Sequence, residues 1–255
     1  MATIVLIPAR YASTRFPGKP LARLAGKTII ERVVERVAGA GFDCAVATDD
    51  ARIFDFVTGA GFRAVMTGTH HRSGTDRIRE ALDSLEHETG RSYDIVINVQ
   101  GDEPFIDASQ IRALEKCFDD PATDIATLCR PFPADGPVDD LLSPNLVKVV
   151  RADDDSALYF SRSLIPFPRG VEKREIPAAF PYTTHIGIYG YRAGVLRRVT
   201  KLSASPLEAA ESLEQLRWLQ AGYRIACPLS HCSNIGIDTP EDLAAAEEFL
   251  SRRQD

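Results

Sequence analysis

Apolar positions along the chain alternate between two kinds of run. Residues 3–7 (TIVLI) are uniformly aliphatic or β-branched and stop at Pro8, which cannot donate to a sheet ladder, so they read as a strand buried on both faces. Ile29, Ile30, Val33, Val34 and Val37 then recur at helical spacing. Thr28 and Glu31 form a capping box before them, and Gly39 and Gly41 stop the helix. A short strand over 44–47, a helix over about 50–58 and a strand over 63–66 follow. Ser73 or Thr75 can cap a helix running to about 87. Residues 93–99 (YDIVINV) are the clearest central strand, succeeded by a helix over 107–118 and a strand over 125–129. This βαβα rhythm predicts an α/β fold: a parallel sheet with helices on both faces.

Past Pro131 the pattern changes. Pro, Asp and Gly dominate through Pro144. Residues 147–150 and 157–160 alternate like two strands around the turn Asp153-Asp154-Asp155, which reads as a solvated hairpin turn rather than a metal site. Residues 163–181 show no periodicity and are expected to be a long loop. Another strand spans 184–191, where glycines between aromatic residues allow close approach of a ligand or another chain. Ser205-Pro206-Leu207-Glu208 opens a helix expected to place Glu211, Glu214 and Gln215 on one face. On spacing alone that face reads as solvated. A strand at 224–228 and a final helix capped by Thr239, with Pro240 as its first residue, complete the chain.

At 255 residues and 44% hydrophobic, the chain can bury a substantial core as one large α/β domain or two small ones, and a single domain is expected. Its formal net charge of −6, without a basic tail, argues against nucleic acid or a membrane surface as partner. Cys44, Cys117, Cys129, Cys227 and Cys232 are scattered and form no CxxC pair, so buried thiols in a reduced compartment are expected. With no signal peptide and no long apolar run, the expectation is a soluble, cytoplasmic protein.

An acidic protein that binds a polyanion must gather its cations locally. Arg10, Arg15 and Lys19 do so in a loop stiffened by Pro17, Gly18 and Pro20, directly after the first strand, where open α/β sheets hold ligands. The loop is not a Walker loop: Gly26-Lys27-Thr28 has the right ending, but Leu21 stands where the earlier glycine would be. After the central strand, Gln100-Gly101-Asp102-Glu103-Pro104 places a carboxylate where it can hold Mg²⁺. The turn-rich 67–77 segment is equally an ordinary helix cap or an anion and base-edge contact. Asp238 reads as part of the last helix cap or as a second metal ligand, the cap being preferred.

The stretch IPARYASTRFPGKPL (7–21) resembles the opening motif of the 3-deoxy-manno-octulosonate cytidylyltransferases, or CMP-Kdo synthetases. The resemblance continues in order through VATDD (46–50), RSGTDR (72–77), NVQGDEP (98–104), NLVKVV (145–150), ALYFSR (157–162), HIGIYGYR (185–192), SPLE with ESLEQLR (205–217) and IDTPEDL (237–243). It implies a Rossmann-like mixed sheet of the nucleotide-diphospho-sugar transferase type. Residues 1–130 and 200–255 would form the nucleotide and metal core, and 131–200 a sugar-binding and dimerisation subregion. The implied reaction is CTP plus Kdo giving CMP-Kdo and pyrophosphate with Mg²⁺, in a homodimer serving lipopolysaccharide biosynthesis. The same chemistry on 8-amino-Kdo or another sugar acid, or a non-catalytic nucleotide-binding protein, is the alternative.

Carried over by position, Arg10, Ser13, Arg15 and Lys19 resemble the triphosphate loop. Ala9, Thr48, Asp49, Ser73, Gly74, Arg77 and Gln100 resemble the surroundings of cytosine and ribose. Asp102 and Asp238 resemble the two metal carboxylates, which reverses the unaided preference at Asp238. Arg162, His185, Tyr189, Glu211, Glu214 and Gln215, together with Gln100, resemble the sugar-acid pocket.

Overall fold

The computed structural model describes residues 1–12, 16–232 and 236–252. Two compact units emerge, one formed by Met1–Arg112 with Ser233–Asp255 and the other by Ala113–Cys232.

In the first unit, β1 (Thr3–Ala9), α1 (Ile29–Gly39), β2 (Asp43–Thr48), α2 (Ala51–Gly59), β3 (Ala64–Met66), α3 (Gly74–Thr89) and β4 (Ile95–Asn98) follow one another. β1 pairs in parallel with β2, from Ile4 opposite Asp43 to Ala9 opposite Thr48. It pairs on its other edge with β4, from Thr3 opposite Ile95 to Leu6 opposite Asn98. β3 joins the far side of β2. The order β3-β2-β1-β4 reverses direction between β1 and β4, which makes their carboxyl ends a topological switch point. Ile4 to Ile7 and Ile95 to Ile97 have no exposed surface, as expected for parallel strands covered on both faces.

Helix α1 shows why the sequence pattern was readable. Its five periodic residues are all buried, each contributing about 1.5–3 kcal/mol of transfer free energy. The Thr28 hydroxyl accepts from the Glu31 amide, and the Glu31 carboxylate accepts from the Thr28 amide, both at 3.2 Å. For α3 the cap is Ser73, which accepts from the Asp76 amide at 3.1 Å. The helix Pro240–Ser251 packs back on this unit, where Ile237 and Ala246 share a buried cluster with Leu24, Ile29 and Phe105.

The second unit is built on β5 (Ile125–Pro131), β6 (Lys148–Arg151), β7 (Ala157–Ser161), β8 (Thr183–Arg192) and β9 (Ile225–Ala226). β8 runs antiparallel to β5 and to β6, β6 antiparallel to β7, and β9 parallel to β5. At Gly190 on β8 the close neighbour is this chain's own Phe118 ring, 2.8 Å from where a Cβ would lie, rather than a ligand or another chain. The aspartate turn is a turn, with Asp155 at φ +62° and the Ser156 amide donating to Asp154 at 2.9 Å.

Two expectations are corrected here. Residues 163–181 are not loop throughout: a 3-10 turn, Lys173–Glu175, leads into a helix, Ile176–Ala179, too short to show a period. The helix begun at Ser205 is not continuous through Gln215. It breaks at Ser212, which has φ +51°, into Pro206–Glu211 and Glu214–Gln220. The cause lies outside the helix: the Arg162 side chain takes up the carbonyls of Glu211 (2.5 Å) and Ser212 (3.3 Å), groups a continuing helix would use itself. Glu211 therefore does not share a helical face with Glu214 and Gln215. No helix among the described residues is long and apolar enough to cross a membrane.

Candidate active site

At the switch point the ends of β1 and β4 approach so closely that a Cβ on Gly101 would lie 2.9 Å from the Pro8 carbonyl oxygen. Only glycine lets the chain turn there, and the next residue is Asp102. The loop after β1 is closed by the Gly18 amide, which donates to the Tyr11 carbonyl at 2.9 Å. Gly18 has φ +72°, and its missing side chain is covered by the Tyr11 ring at 3.0 Å. Lys19 follows in a short 3-10 turn, Lys19–Leu21.

Its ammonium lies 2.6 Å from Asp102 Oδ2 and 3.0 Å from Asp238 Oδ1. Three residues remote in sequence thus converge on one point. Burial alone would pull the Lys19 pKa down, but attraction and hydrogen bonding from Asp102, then from Asp238, outweigh it and the net shift is upward. Lys19 is therefore charged.

Asp238 reaches this point because it is not needed by the helix that follows. Thr239 caps that helix by accepting from the Asp242 amide at 3.2 Å. The Asp242 carboxylate accepts from the amides of Asp238 and Thr239 at 3.0 and 2.9 Å. The Ile237 amide donates to the Asp102 carbonyl at 3.0 Å, tying the two acidic segments together. The cap reading of the Asp238 side chain is thereby replaced by a contact with Lys19.

A cleft of about 440 Å³ opens over this triad. Ala9, Arg10, Lys19, Gly74, Arg77, Gln100, Asp102 and Asp238, all named from the sequence, line it together with Pro8, Ala12, Pro20 and Gly101. Thr48 and Asp49 connect to it through Arg77 and Thr67, and Ser73 caps α3 one residue before Gly74. Arg77 is 1% exposed and donates to Asp49 at 2.7 Å and to the Thr67 hydroxyl at 2.6 Å. Thr67 in turn donates from its amide to the Thr48 carbonyl at 2.8 Å. Gln100 donates to Asn98 at 3.2 Å. Ser13 and Arg15 lie outside the described residues.

The sequence reading missed Tyr11 and Arg52. The Arg52 guanidinium sits 3.3 Å above the Tyr11 ring centroid and is held there by Asp50, with contacts of 2.9 and 2.6 Å. Asp50 also caps α2. The cap was legible; the long-range stacking was not.

In the second unit Arg162 meets Glu211, and His185 meets Tyr189. Glu211 accepts from the Ser161 hydroxyl at 2.6 Å and from the Arg162 amide at 2.7 Å. The Arg162 guanidinium also donates to the Pro144 carbonyl at 2.9 Å. His185 packs edge-on against Phe160 at 5.0 Å and beside Tyr189 at 5.4 Å. Its Nε2 lies 2.9 Å from Thr127 Oγ1, which also lies 2.8 Å from the Ile188 carbonyl and 3.1 Å from the Ile186 carbonyl. Although the ring keeps some solvent exposure, protein surrounds it elsewhere and that desolvation lowers its pKa to about 3. Desolvation, then Tyr191 and Glu214, pushes Tyr189 upward. Glu214 pairs with Arg217 at 3.0 Å, and Gln215 is 3% exposed. Lys148, read from the sequence only as a strand residue, donates to the carbonyls of Ser143, Leu146 and Arg162 at 3.0, 2.7 and 2.5 Å.

A twofold-wound parallel sheet with a basic loop and two carboxylates at its switch point has the layout of a nucleotidyltransferase. Residues 4–225 match the cytidylyltransferase family model, and the chain belongs to that family. Among its relatives, the 3-deoxy-manno-octulosonate cytidylyltransferase of Phocaeicola vulgatus is 54% identical over all of this chain and 99% of that protein. The protein of the same name from Bacteroides thetaiotaomicron is 53% identical over 99% of this chain and all of its own length. A solved structure of CMP:2-keto-3-deoxy-manno-octonic acid synthetase complexed with CTP superposes with a TM-score of 0.88 at 40% identity, over 99% of this chain and 100% of that one.

Proposed function

We propose that this protein is a 3-deoxy-manno-octulosonate cytidylyltransferase, converting CTP and Kdo to CMP-Kdo and pyrophosphate in the cytoplasm for lipopolysaccharide synthesis. The observation that carries the reading is the single ammonium of Lys19 shared by Asp102 and Asp238 at the floor of the switch-point cleft.

In this reading the anomeric hydroxyl of the sugar acid attacks the α-phosphorus of CTP in line, and pyrophosphate leaves. No side chain forms a covalent bond. Lys19 and Arg10, with Ser13 and Arg15 by sequence, receive the triphosphate. Lys19 then exchanges its two carboxylate partners for phosphate oxygens. Asp102 and Asp238, freed together, form the hard oxygen pair that suits Mg²⁺. Their convergence on one cation position supports that fit. A bound Mg²⁺ supplies Lewis-acid stabilisation of the reacting phosphoryl oxygens. Gly74 and Gln100, with the Arg77–Asp49 and Thr48 framework behind them and Ser73 and Ala9 beside them, are read as the nucleoside surroundings. Arg162, Glu211, His185, Tyr189, Glu214 and Gln215 are read as holding the sugar acid. Arg162 and Glu211 fix the local backbone, and His185 offers a ring that stays neutral near neutral pH.

Pyrophosphate release tests this directly. With CTP and Mg²⁺, Kdo is expected to be turned over in preference to 8-amino-Kdo and sialic acid. CTP binding without release for any sugar acid would favour a non-catalytic binder. The same reading includes a homodimer formed through 131–200. The exposed Leu158, Phe167 and Phe180 of the second unit, at 61%, 80% and 40% exposure, support it. Sedimentation is expected to show a dimer that Leu158→Asp weakens; a monomer in the wild type would remove this element.

A further inference from the structure

The loop between β3 and α3 carries chemistry that nucleotide transfer does not use. His70 and His71 are adjacent on it, and Glu80 lies in the second turn of α3. One ligand atom from each falls within 4.8 Å of the other two. The two imidazole centroids are 4.3 Å apart, and His71 Nε2 contacts a Glu80 carboxylate oxygen directly. Neighbouring residues in an extended chain would point to opposite sides, so placing both rings beside one carboxylate requires a folded loop.

The surroundings hold that fold. Both Glu80 oxygens lie 3.2 Å from the Gly68 amide, which orients the carboxylate. A Cβ on Gly68 would lie 2.4 Å from the His70 ring, so that ring can rest on the loop only because residue 68 is glycine. His71 is buried at 7% exposure, whereas His70 is exposed and Glu80 half-buried. The cluster is therefore anchored on one side and open to solvent on the other.

The geometry points to a second metal site, formed by His70, His71 and Glu80 and suited to a borderline transition-metal ion such as Zn²⁺. Two imidazoles and a carboxylate are a donor set for zinc with a fourth position left to water. It contrasts with the all-oxygen pair Asp102 and Asp238, which suits Mg²⁺. The Gly68 amide serves as the outer contact that orients the carboxylate ligand. A metal here pins the 67–73 loop to α3. The same loop contains Thr67, whose hydroxyl receives Arg77, so the pin steadies the wall of the nucleotide cleft from behind.

Calorimetric titration of Zn²⁺ into the full-length protein, with excess Mg²⁺ present to occupy the oxygen pair, tests the site. One zinc per chain is expected, with affinity falling about tenfold or more in His70→Ala and in Glu80→Gln. Because His70 is exposed, His70→Ala is expected to keep the circular dichroism of the wild type. Equal zinc affinity in wild type and His70→Ala, or no binding by the wild type, would overturn the proposal. As a second readout, Co²⁺ bound to the wild type is expected to show the visible d–d bands of nitrogen and oxygen ligands. A thiolate charge-transfer band would place the metal on a cysteine and overturn it as well.

Discussion

Lys19 in the first unit and the Arg162–Lys148–Glu211 group in the second are satisfied in opposite ways. In the first, Lys19 is held, among the described residues, by the side chains of Asp102 and Asp238, three groups on separate segments facing a cleft. In the second, Arg162 and Lys148 are held by backbone carbonyls, and Glu211 by a hydroxyl and an amide. Side-chain ion pairs can exchange partners when an anion and a cation enter together. Backbone contacts cannot be released without moving the chain. The first arrangement is built to be rearranged by a ligand; the second is built to hold shape around one.

The sharpest way to break this contrast is at the carboxylates. Asp102→Asn keeps the size of the side chain but removes the charge, and turnover with Mg²⁺ is expected to fall by about 10³, the rate equivalent of several kcal/mol. Retained turnover with an unchanged metal response would remove Asp102 from the site. Lys19→Ala removes the exchanging cation and is expected to cost on the order of 10²–10³ in turnover by pyrophosphate release. An effect under tenfold would mean that the ammonium is structural.

Arg77 sharpens the contrast from within the first unit, because its own side chain is buried and held by Asp49 and Thr67. Arg77→Met leaves a carboxylate unpaired and is expected to lower stability by about 3 kcal/mol in urea unfolding. His185 gives a smaller, pH-dependent effect. Its folded pKa of about 3 lies below the ordinary value, so the unfolded chain binds the extra proton first as pH falls. Stability from keeping His185 neutral is complete above the unfolded pKa of about 6.5 and is lost as pH drops from there toward 3. Between pH 7 and about pH 5 the wild type is expected to lose about 1–2 kcal/mol more than His185→Gln. An equal loss in both would show the ring to be solvated. The smallest effect is at Arg52, an exposed cation–π contact: Arg52→Ala is expected to raise KM for CTP about threefold through a looser Tyr11 loop, leaving kcat unchanged.

The sequence made the first unit more legible than the second, for a physical reason. Residues 3–7, the α1 stripe, the Thr28–Glu31 box and the 93–99 strand are local patterns that burial on two faces makes strong. Lys19 and Asp102 were readable because each follows a buried strand at a glycine or proline turn. Asp238 was not separable from the cap by local chemistry, since what decides it is Asp242 filling the cap and Lys19 arriving from more than two hundred residues away. The break at Ser212 was hidden for the same reason: Arg162, fifty residues earlier, takes the helix carbonyls. Tyr11 under Arg52, and Lys148 among three carbonyls, likewise exist only once distant segments meet. Helix Ile176–Ala179 escaped because four residues carry no period.

A crystal of this protein grown with CTP and Mg²⁺ tests the central claim most directly. The account predicts the triphosphate against Lys19, with Lys19 withdrawn from at least one carboxylate and the metal bound between Asp102 and Asp238. A nucleotide seated away from Lys19, or a metal that touches neither aspartate, would contradict it.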